Sequence, residues 1–408
     1  MTDGWPIVPL ESVVRFQEGP GILAKDFHPK GVPLVRLAGL GGHQVTLRKC
    51  DYLDPSLVAT KWSHFRLNKG DILISTSASF GRPAVVGAEA EGAVFYTGLI
   101  RFRSISAELD EGYLKTFLGS RVFMIQAEAQ ASGSVISHFG PSHLRRMEIP
   151  LPPLLEQQNI ARVHSALDDK IDLNYRMNET LEAMARATFK DWFVDFGPTR
   201  AKMEGRAPYL SPEIWALFPD RLNDKGAPLS WEEVKLESLL ELSYGKSLPA
   251  SERQVGSVPV YGSGGINGFH SQSLIGAPAI IVGRKGTVGS LYWEHRPCFP
   301  IDTVFYVNSE LPLTYCYHLL ETLGLTEMNT DAAVPGLNRS NVYRLLIPSA
   351  PASLIEMFGS YADELRARVV ANKEENITLA ATRDFLLPKL MSGDVRVKDA
   401  ETIAELAA

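Results

Sequence analysis

Apolar residues recur every seven positions in two separate stretches of this chain. In the first, Ile160, Leu167, Asn174, Leu181 and Thr188 form one line, and His164, Ile171, Asn178, Ala185 and Trp192 form the adjoining one. In the second, the lines are Phe358, Leu365, Asn372, Leu379 and Leu386, and Ala362, Val369, Asn376, Arg383 and Leu390. The spacing predicts long helices over 153–196 and 351–391. Pro153 and Pro351 suit a first helical turn, where a missing N–H costs nothing. Gly197-Pro198 and Gly393 supply stops. At 1.5 Å per residue each helix is roughly 60 Å long. A seam of this kind, with polar exceptions, is what a coiled coil needs; a packed pair of core helices without supercoiling is the alternative.

Both stretches carry Asn-x-x-x-Asn at their midpoints, Asn174/Asn178 and Asn372/Asn376. An antiparallel pairing that sets Asn174 opposite Asn376 also sets Asn178 opposite Asn372. The same register places Ile160 by Leu390, Ile171 by Leu379, Leu181 by Val369 and Trp192 by Phe358. Buried Asn pairs cost stability but penalise slippage, so they are expected to fix the register.

The remaining sequence reads differently. Short β-branched and aromatic runs at 71–75, 93–102, 279–282 and 302–307 predict strands between turns, with helical pieces at 113–126 and 312–323. These runs belong to a diverged duplication. Trp5-x-x-Val8-x-Leu10-Glu11-Ser12 returns as Trp231-x-x-Val234-x-Leu236-Glu237-Ser238, 226 positions on, and Gly19 maps to Gly245 at the same offset. Ile72-Leu73-Ile74 matches Ile280-Ile281-Val282 at 208, Tyr113-Leu114 matches Tyr315-Cys316 at 202, and Ile149-Pro150 matches Ile347-Pro348 at 198. The falling offset with unbroken order implies one architecture, shortened in its second copy. The expected fold class is α+β: two pseudo-repeated mixed α/β domains separated by two long antiparallel coiled-coil helices. The expected boundaries are a first domain at 1–150, first helix 151–197, linker 198–230, second domain 231–350, second helix 351–393 and a tail at 394–408.

Composition adds exclusions. The 408 residues are 45% hydrophobic and 22% charged, an ordinary globular balance. No apolar run approaches the roughly 18 residues of a membrane span, and no secretion signal is visible at the N-terminus. Three scattered cysteines, Cys50, Cys298 and Cys316, suggest neither a disulfide framework nor a four-ligand zinc site. A reducing cytoplasm is the expected location. Net charge is −6: residues 1–150 carry 16 basic and 14 acidic side chains, leaving 25 and 33 for the rest. Neither part is a basic stripe, so charge alone is weak evidence about DNA, and partners are expected to contribute phosphate contacts if the chain binds DNA tightly.

Motifs that imitate catalysis are weak. Asp220 followed by Glu233-Val234-Lys235 imitates a nuclease metal site, but Asp220 lies in a Pro-rich stretch and the matching first-copy residues are Ile7 and Pro9. Gly262-x-Gly264-Gly265 lacks the helix of a dinucleotide loop and reads as a surface turn. No adenine-methylation loop and no Gly-rich Lys-Ser/Thr phosphate loop is present, and the His residues lack metal spacing.

Two variable α+β domains, each followed by a long helix, resemble the specificity subunit of type I restriction–modification enzymes. The phrases are similar too: Ile149-Pro150-Leu151-Pro152-Pro153-Leu154-x-Glu156-Gln157-Gln158-x-Ile160 entering the first helix, and Phe385-Leu386-Leu387-Pro388-Lys389-Leu390-Met391-Ser392-Gly393 leaving the second. Gly70-Asp71-Ile72-Leu73-Ile74-Ser75, followed by Gly81, resembles the family's target-recognition domains. The second helix departs from the pattern, since Ile355-Glu356 lacks the Gln-Gln pair.

The resemblance implies a non-catalytic subunit whose domains each read one half of a split, asymmetric double-stranded DNA target. The helices would set the spacer and dock two modification (methyltransferase) subunits, with restriction (motor and nuclease) subunits completing the complex. S-adenosylmethionine and ATP are expected on those partners, with no cofactor, metal or membrane for this chain. The alternative is a stand-alone nuclease or methyltransferase. For DNA contacts, loops at corresponding places in the two domains are the candidates. Ser75, Ser77, Ser79 and Arg82 match a loop holding Arg284, Lys285 and Thr287, and Ser134, Ser137 and His138 match a region holding Asn338 and Arg339. Arginine can read guanine edges bidentately, asparagine adenine, and serine or threonine base or phosphate.

Overall fold

The run Ile72-Leu73-Ile74, closed by Ser75, is apolar without alternation because both of its faces are covered. In the computed structural model, which describes residues 5–40, 42–76, 83–131, 140–329, 336–397 and 399–400, it forms a buried strand with two cores. Ile72 and Ile74 point into a core with Phe102, Tyr113 and Phe117, while Leu73 points into another with Val35 and Phe95. The run at Ala279–Gly283 does the same, Ile280 and Val282 facing one core and Ile281 another. Period-two geometry sends alternate residues to opposite faces.

The chain divides into two compact units. The first is Met1–Asn174 with Glu374–Ala408, and the second is Tyr175–Lys373. Each is built from one globular domain, the N-terminal half of its own long helix and the C-terminal half of the other copy's helix.

In the first unit, β1 (Ile7–Pro9) pairs with β10 (Glu148–Pro150). A four-stranded sheet has the order β2-β9-β6-β7, from β2 (Val14–Glu18), β9 (Leu99–Ser104), β6 (Ile72–Ser75) and β7 (Ala84–Val85). A second sheet has the order β3-β5-β4-β8, from β3 (Phe27–His28), β5 (Asp51–Leu53), β4 (Val32–Val35) and β8 (Val94–Phe95), with β4 and β8 parallel.

The second unit repeats this plan. The ribbon is β11 (Glu232–Lys235) with β19 (Leu346–Ser349). The four-stranded sheet is β12-β18-β15-β16, from β12 (Glu241–Tyr244), β18 (Val304–Asn308), β15 (Ala279–Gly283) and β16 (Leu291–Glu294). The other sheet is β14-β13-β17, from β14 (Gly265–His270), β13 (Val258–Gly262) and β17 (Phe299–Pro300), again with one parallel pair. Register repeats as well as order: Val8 faces Ile149, and Val234 faces Ile347. Gly19 and Gly245 are equivalent in packing, since a Cβ would lie 2.2 Å from the Tyr96 carbonyl oxygen at one and 2.1 Å from that of Ile301 at the other.

The long helices span Leu154–Phe193 and Ala352–Ser392. They run antiparallel within each unit. In the first, Ile160 shares a core with Leu386 and Leu390, Ile171 packs with Leu379, and Asn174 bonds to Asn376. In the second, Asn178 bonds to Asn372 and Trp192 lies edge-on to Phe358.

One local expectation is corrected. Gly197 does not stop the first helix in a left-handed conformation. That helix ends at Phe193, and Phe196, at φ 55°, is the N-cap of the helix Gly197–Met203 that Gly197-Pro198 opens. A buried aromatic there packs against Trp231, 5.5 Å between ring centres, which offsets the strain of a side chain at positive φ. Arg383 occupies the seam as the counterpart of Leu167, yet it swings to Asp168, Nη1 to Oδ1 at 2.7 Å. The stretch 198–230 also carries the helix Pro212–Ala216 and sets Phe218 against Trp192 at 5.6 Å.

Candidate nucleic-acid interface

The second unit brings its two candidate loops together. After β15 the chain turns through Arg284, Lys285 and Thr287. Leu337 N–H donates to the Arg284 carbonyl at 2.8 Å, and Lys285 bridges Gly336. Arg284, Lys285, Thr287, Asn338 and Arg339 therefore occupy one neighbourhood. Lys285 and Thr287 are exposed, and the two arginines are half-buried.

An unanticipated residue organises them. Tyr244 ends β12, is 48% exposed, and lies cross-strand from Phe305 with ring centres 5.0 Å apart. The Arg284 guanidinium carbon sits 4.9 Å from the centre of the Tyr244 ring and that of Arg339 sits 4.8 Å from it. Each arginine also donates one Nη1 bond to a main-chain carbonyl, Arg284 to Asp302 at 2.8 Å and Arg339 to Leu242 at 3.2 Å. Two long side chains are thus held in place by a ring and a backbone oxygen each. Tyr244 escapes sequence reasoning because its counterpart, 226 positions earlier, is Glu18. The one usable signal was its position immediately before the matched Gly245.

Asn338 has a structural task. Its Oδ1 caps the helix Arg339–Tyr343, accepting from Ser340 N at 2.9 Å and Asn341 N at 3.3 Å. Reading adenine with both amide groups would require release of that cap.

In the first unit, Ser75 ends β6 opposite Leu99 and is only 4% exposed, which places its side chain within the domain rather than on a reading surface. Ser77, Ser79, Arg82, Ser134, Ser137 and His138 lie outside the described residues. The arginines of β9 are internal props. Arg101 is buried and donates to Gln17 Oε1 at 2.6 Å and to the carbonyl of Arg66 at 3.0 Å. Burial, with Arg103 beside it, lowers its pKa. Arg103 grips Asp71 through two 2.6 Å bonds, which raise its own. An Arg–aromatic stack does occur here, Arg36 lying 5.2 Å from the Tyr96 ring centre and 2.7 Å from Asp51.

Equivalent cavities lie in the two units, of about 430 Å³ in the first and about 560 Å³ in the second. The first sits where the globular domain meets both long helices, and the second where it meets the first long helix. Lys115, His164, Asp168 and Arg383 line the first, and Arg186, Tyr317, His318 and Glu321 the second. In the first, burial holds the His164 imidazole down to about 4, with Arg383 and Lys115 acting in the same sense and Asp168 opposing them. His164 is therefore neutral at pH 7.

The imitation nuclease site does not assemble. Glu233 is bonded to Lys225, Lys235 reaches Glu237 at 3.3 Å, and Asp220 faces Arg221 on the surface. Among the described residues, no three His, Cys, Asp or Glu side chains group as metal ligands. Gly262 and Gly265 pair across the hairpin joining β13 to β14, so that glycine cluster is a turn. Among the described residues, no helix is long and apolar enough to cross a membrane.

Comparison with known proteins bears on this geometry. A profile described as type I restriction modification DNA specificity domain matches residues 3–183. The type I restriction enzyme MjaIX specificity subunit of Methanocaldococcus jannaschii is 26% identical over 81% of this chain and 79% of that protein. The HindI specificity subunit of Haemophilus influenzae is 26% identical over 61% of this chain and 69% of its own length. The fold is similar to the crystal structure of a type I restriction–modification S subunit from M. genitalium, with a TM-score of 0.58 at 19% identity, covering 95% of this chain and 96% of that one.

Proposed function

Because the chain belongs to the specificity-subunit family of type I restriction–modification systems, we propose that it is the non-catalytic, sequence-reading part of a DNA modification and restriction complex. Each globular domain reads one half of a split, asymmetric double-stranded DNA target. The observation carrying this reading is a strand order repeated twice beneath unlike faces. Tyr244 in one copy corresponds to Glu18 in the other, and the buried Ser75 corresponds to Gly283. A palindrome reader needs two like faces. Two different half-sites need a shared scaffold with different ones.

The connection between the units is helical, Tyr175 and Lys373 both lying well inside long helices. Half-sites one DNA turn apart are separated by roughly 34–36 Å. A helix is a ruler for such a spacer, and a flexible linker is not. The helices also dock two modification subunits, which carry S-adenosylmethionine and extrude the target base from the duplex. Restriction subunits supply ATP-driven translocation and cleavage. With a net charge of −6, this chain relies on those partners for many of the phosphate contacts. The assembly works in the cytoplasm.

Gel-shift titration of duplex DNA by the chain alone, and by the chain with its modification subunits, tests the reading. Sequence-selective shifts that tighten when the modification subunits are added are expected. Methyl transfer from S-adenosylmethionine by the isolated chain would instead establish the self-contained enzyme.

A further inference from the structure

We propose that Tyr244 is a positioning residue that holds Arg284 and Arg339 ready for guanine edges in the half-site read by the second unit. The inference rests on the DNA-reading function above and adds a residue and a base to it. Its ground is the placement of two guanidiniums on one exposed ring, at 4.9 and 4.8 Å from its centre.

An arginine free in solvent loses considerable rotamer entropy when it docks. Here the loss is met during folding. The ring fixes where each guanidinium lies, and the Asp302 and Leu242 carbonyls take one Nη1 donor from each. The carbonyl bonds use only part of a five-donor fork. The remaining donors suit a planar, two-point acceptor better than a lone charge, and the guanine O6/N7 pair is such an acceptor in the major groove. A phosphate contact has no need of this rigidity, since a flexible lysine serves it. The exposed Lys285 beside the stack fits that looser role. Tyr244 owes its position to folding alone, being packed on Phe305 across the strand pair. Its ring, not its hydroxyl, carries the effect.

The test uses the chain complexed with its modification subunits and duplexes carrying the motif found by mapping modified bases in cells. Each guanine of the motif is replaced in turn by 7-deazaguanine, which removes the N7 acceptor and keeps pairing. In one half of the motif the replacement is expected to weaken binding about tenfold, the scale of one bidentate contact. Tyr244→Phe keeps that loss. Tyr244→Leu binds guanine and 7-deazaguanine duplexes alike, and so does Arg284→Lys/Arg339→Lys, which preserves charge without the fork. The arginine pair also serves as the deciding variant where Tyr244→Leu does not fold. The proposal is overturned by a motif without guanine in either half, by discrimination that survives both variants, or by a loss spread evenly over all sequences, the mark of phosphate contacts. A complex that does not separate motif DNA from scrambled DNA would instead overturn the parent reading.

Discussion

Asn174 and Asn376 meet amide to amide in the seam of the first unit, Nδ2 to Oδ1 at 2.9 Å, and both are buried. Asn372 and Asn178 make the corresponding bond in the second unit at 2.8 Å. Replacing one member leaves a buried amide without its partner, at a cost of about 1–3 kcal/mol. Asn174→Leu is therefore expected to lower the thermal midpoint. Asn174→Leu/Asn376→Leu is expected to recover most of it, because two leucines fill the layer and the carboxylate of Glu375, which loses the Asn174 donor, keeps Lys170 at 3.2 Å. Single and double variants that melt alike would refute a coupled pair.

Much of this scaffold was legible in the sequence. Seven-residue spacing is a long-range signal that needs no knowledge of loops, and it put Asn174 opposite Asn376. The duplication put Val8 and Val234, Tyr113 and Tyr315, and Ile149 and Ile347 in equivalent places, and each member of the last two pairs is buried. Strand order was not legible, because strands of two to six residues carry no record of their neighbours. The candidate surface was the least legible part. Ser75, the last residue of a predicted strand, was offered as a contact residue and is buried, while Tyr244 was signalled only by its place before Gly245, since its copy is an acid. Side chains that meet a ligand diverge, and a comparison of two copies detects only what they keep in common.

Gly19 and Gly245 supply a matched pair of predictions. Gly19→Ala and Gly245→Ala each force a Cβ into a carbonyl oxygen at 2.2 and 2.1 Å. Backbone must move to relieve the clash, so each variant is expected to lose about 1–3 kcal/mol, by analogy with overpacked cores. Urea unfolding of the full chain measures it. Two domains of like topology should respond by like amounts, and a neutral result at either position would contradict their equivalence.

Arg366 joins the second helix to the second domain. Its guanidinium lies against two aromatic rings, 4.8 Å from the centre of Trp293 and 5.0 Å from that of Tyr317. Lysine keeps the charge but not the planar stack. Arg366→Lys is expected to cost about 1 kcal/mol in urea unfolding, given two partly desolvated cation–π contacts. Unchanged stability would show that the ion pair with Glu182, at 3.8 Å, is the only contribution.

The buried His164 makes stability depend on acid. Its folded pKa is held at about 4, while an unfolded histidine titrates near 6.5. Between those values the unfolded chain binds a proton that the folded chain refuses. Stability is thus full above pH 6.5 and declines as pH falls toward 4, by up to about 1.4 kcal/mol for each pKa unit of separation. Asp168 extends the decline at lower pH. Burial works against its charge, but His164 and Arg383 outweigh that and leave its pKa lowered. Thermal midpoints from pH 7 to 5 should fall less steeply in His164→Gln than in the unaltered chain. Parallel curves would remove His164 from the account.

The central claim is that one module, present twice, reads two different half-sites. Residues 231–350 are exchanged for the second recognition domain of another specificity subunit, and methylated adenines are mapped in the DNA of cells that also carry the modification and restriction subunits. One half of the motif is expected to change, with the other half and the spacer retained. A motif left intact by the exchange, or altered in both halves at once, contradicts the claim.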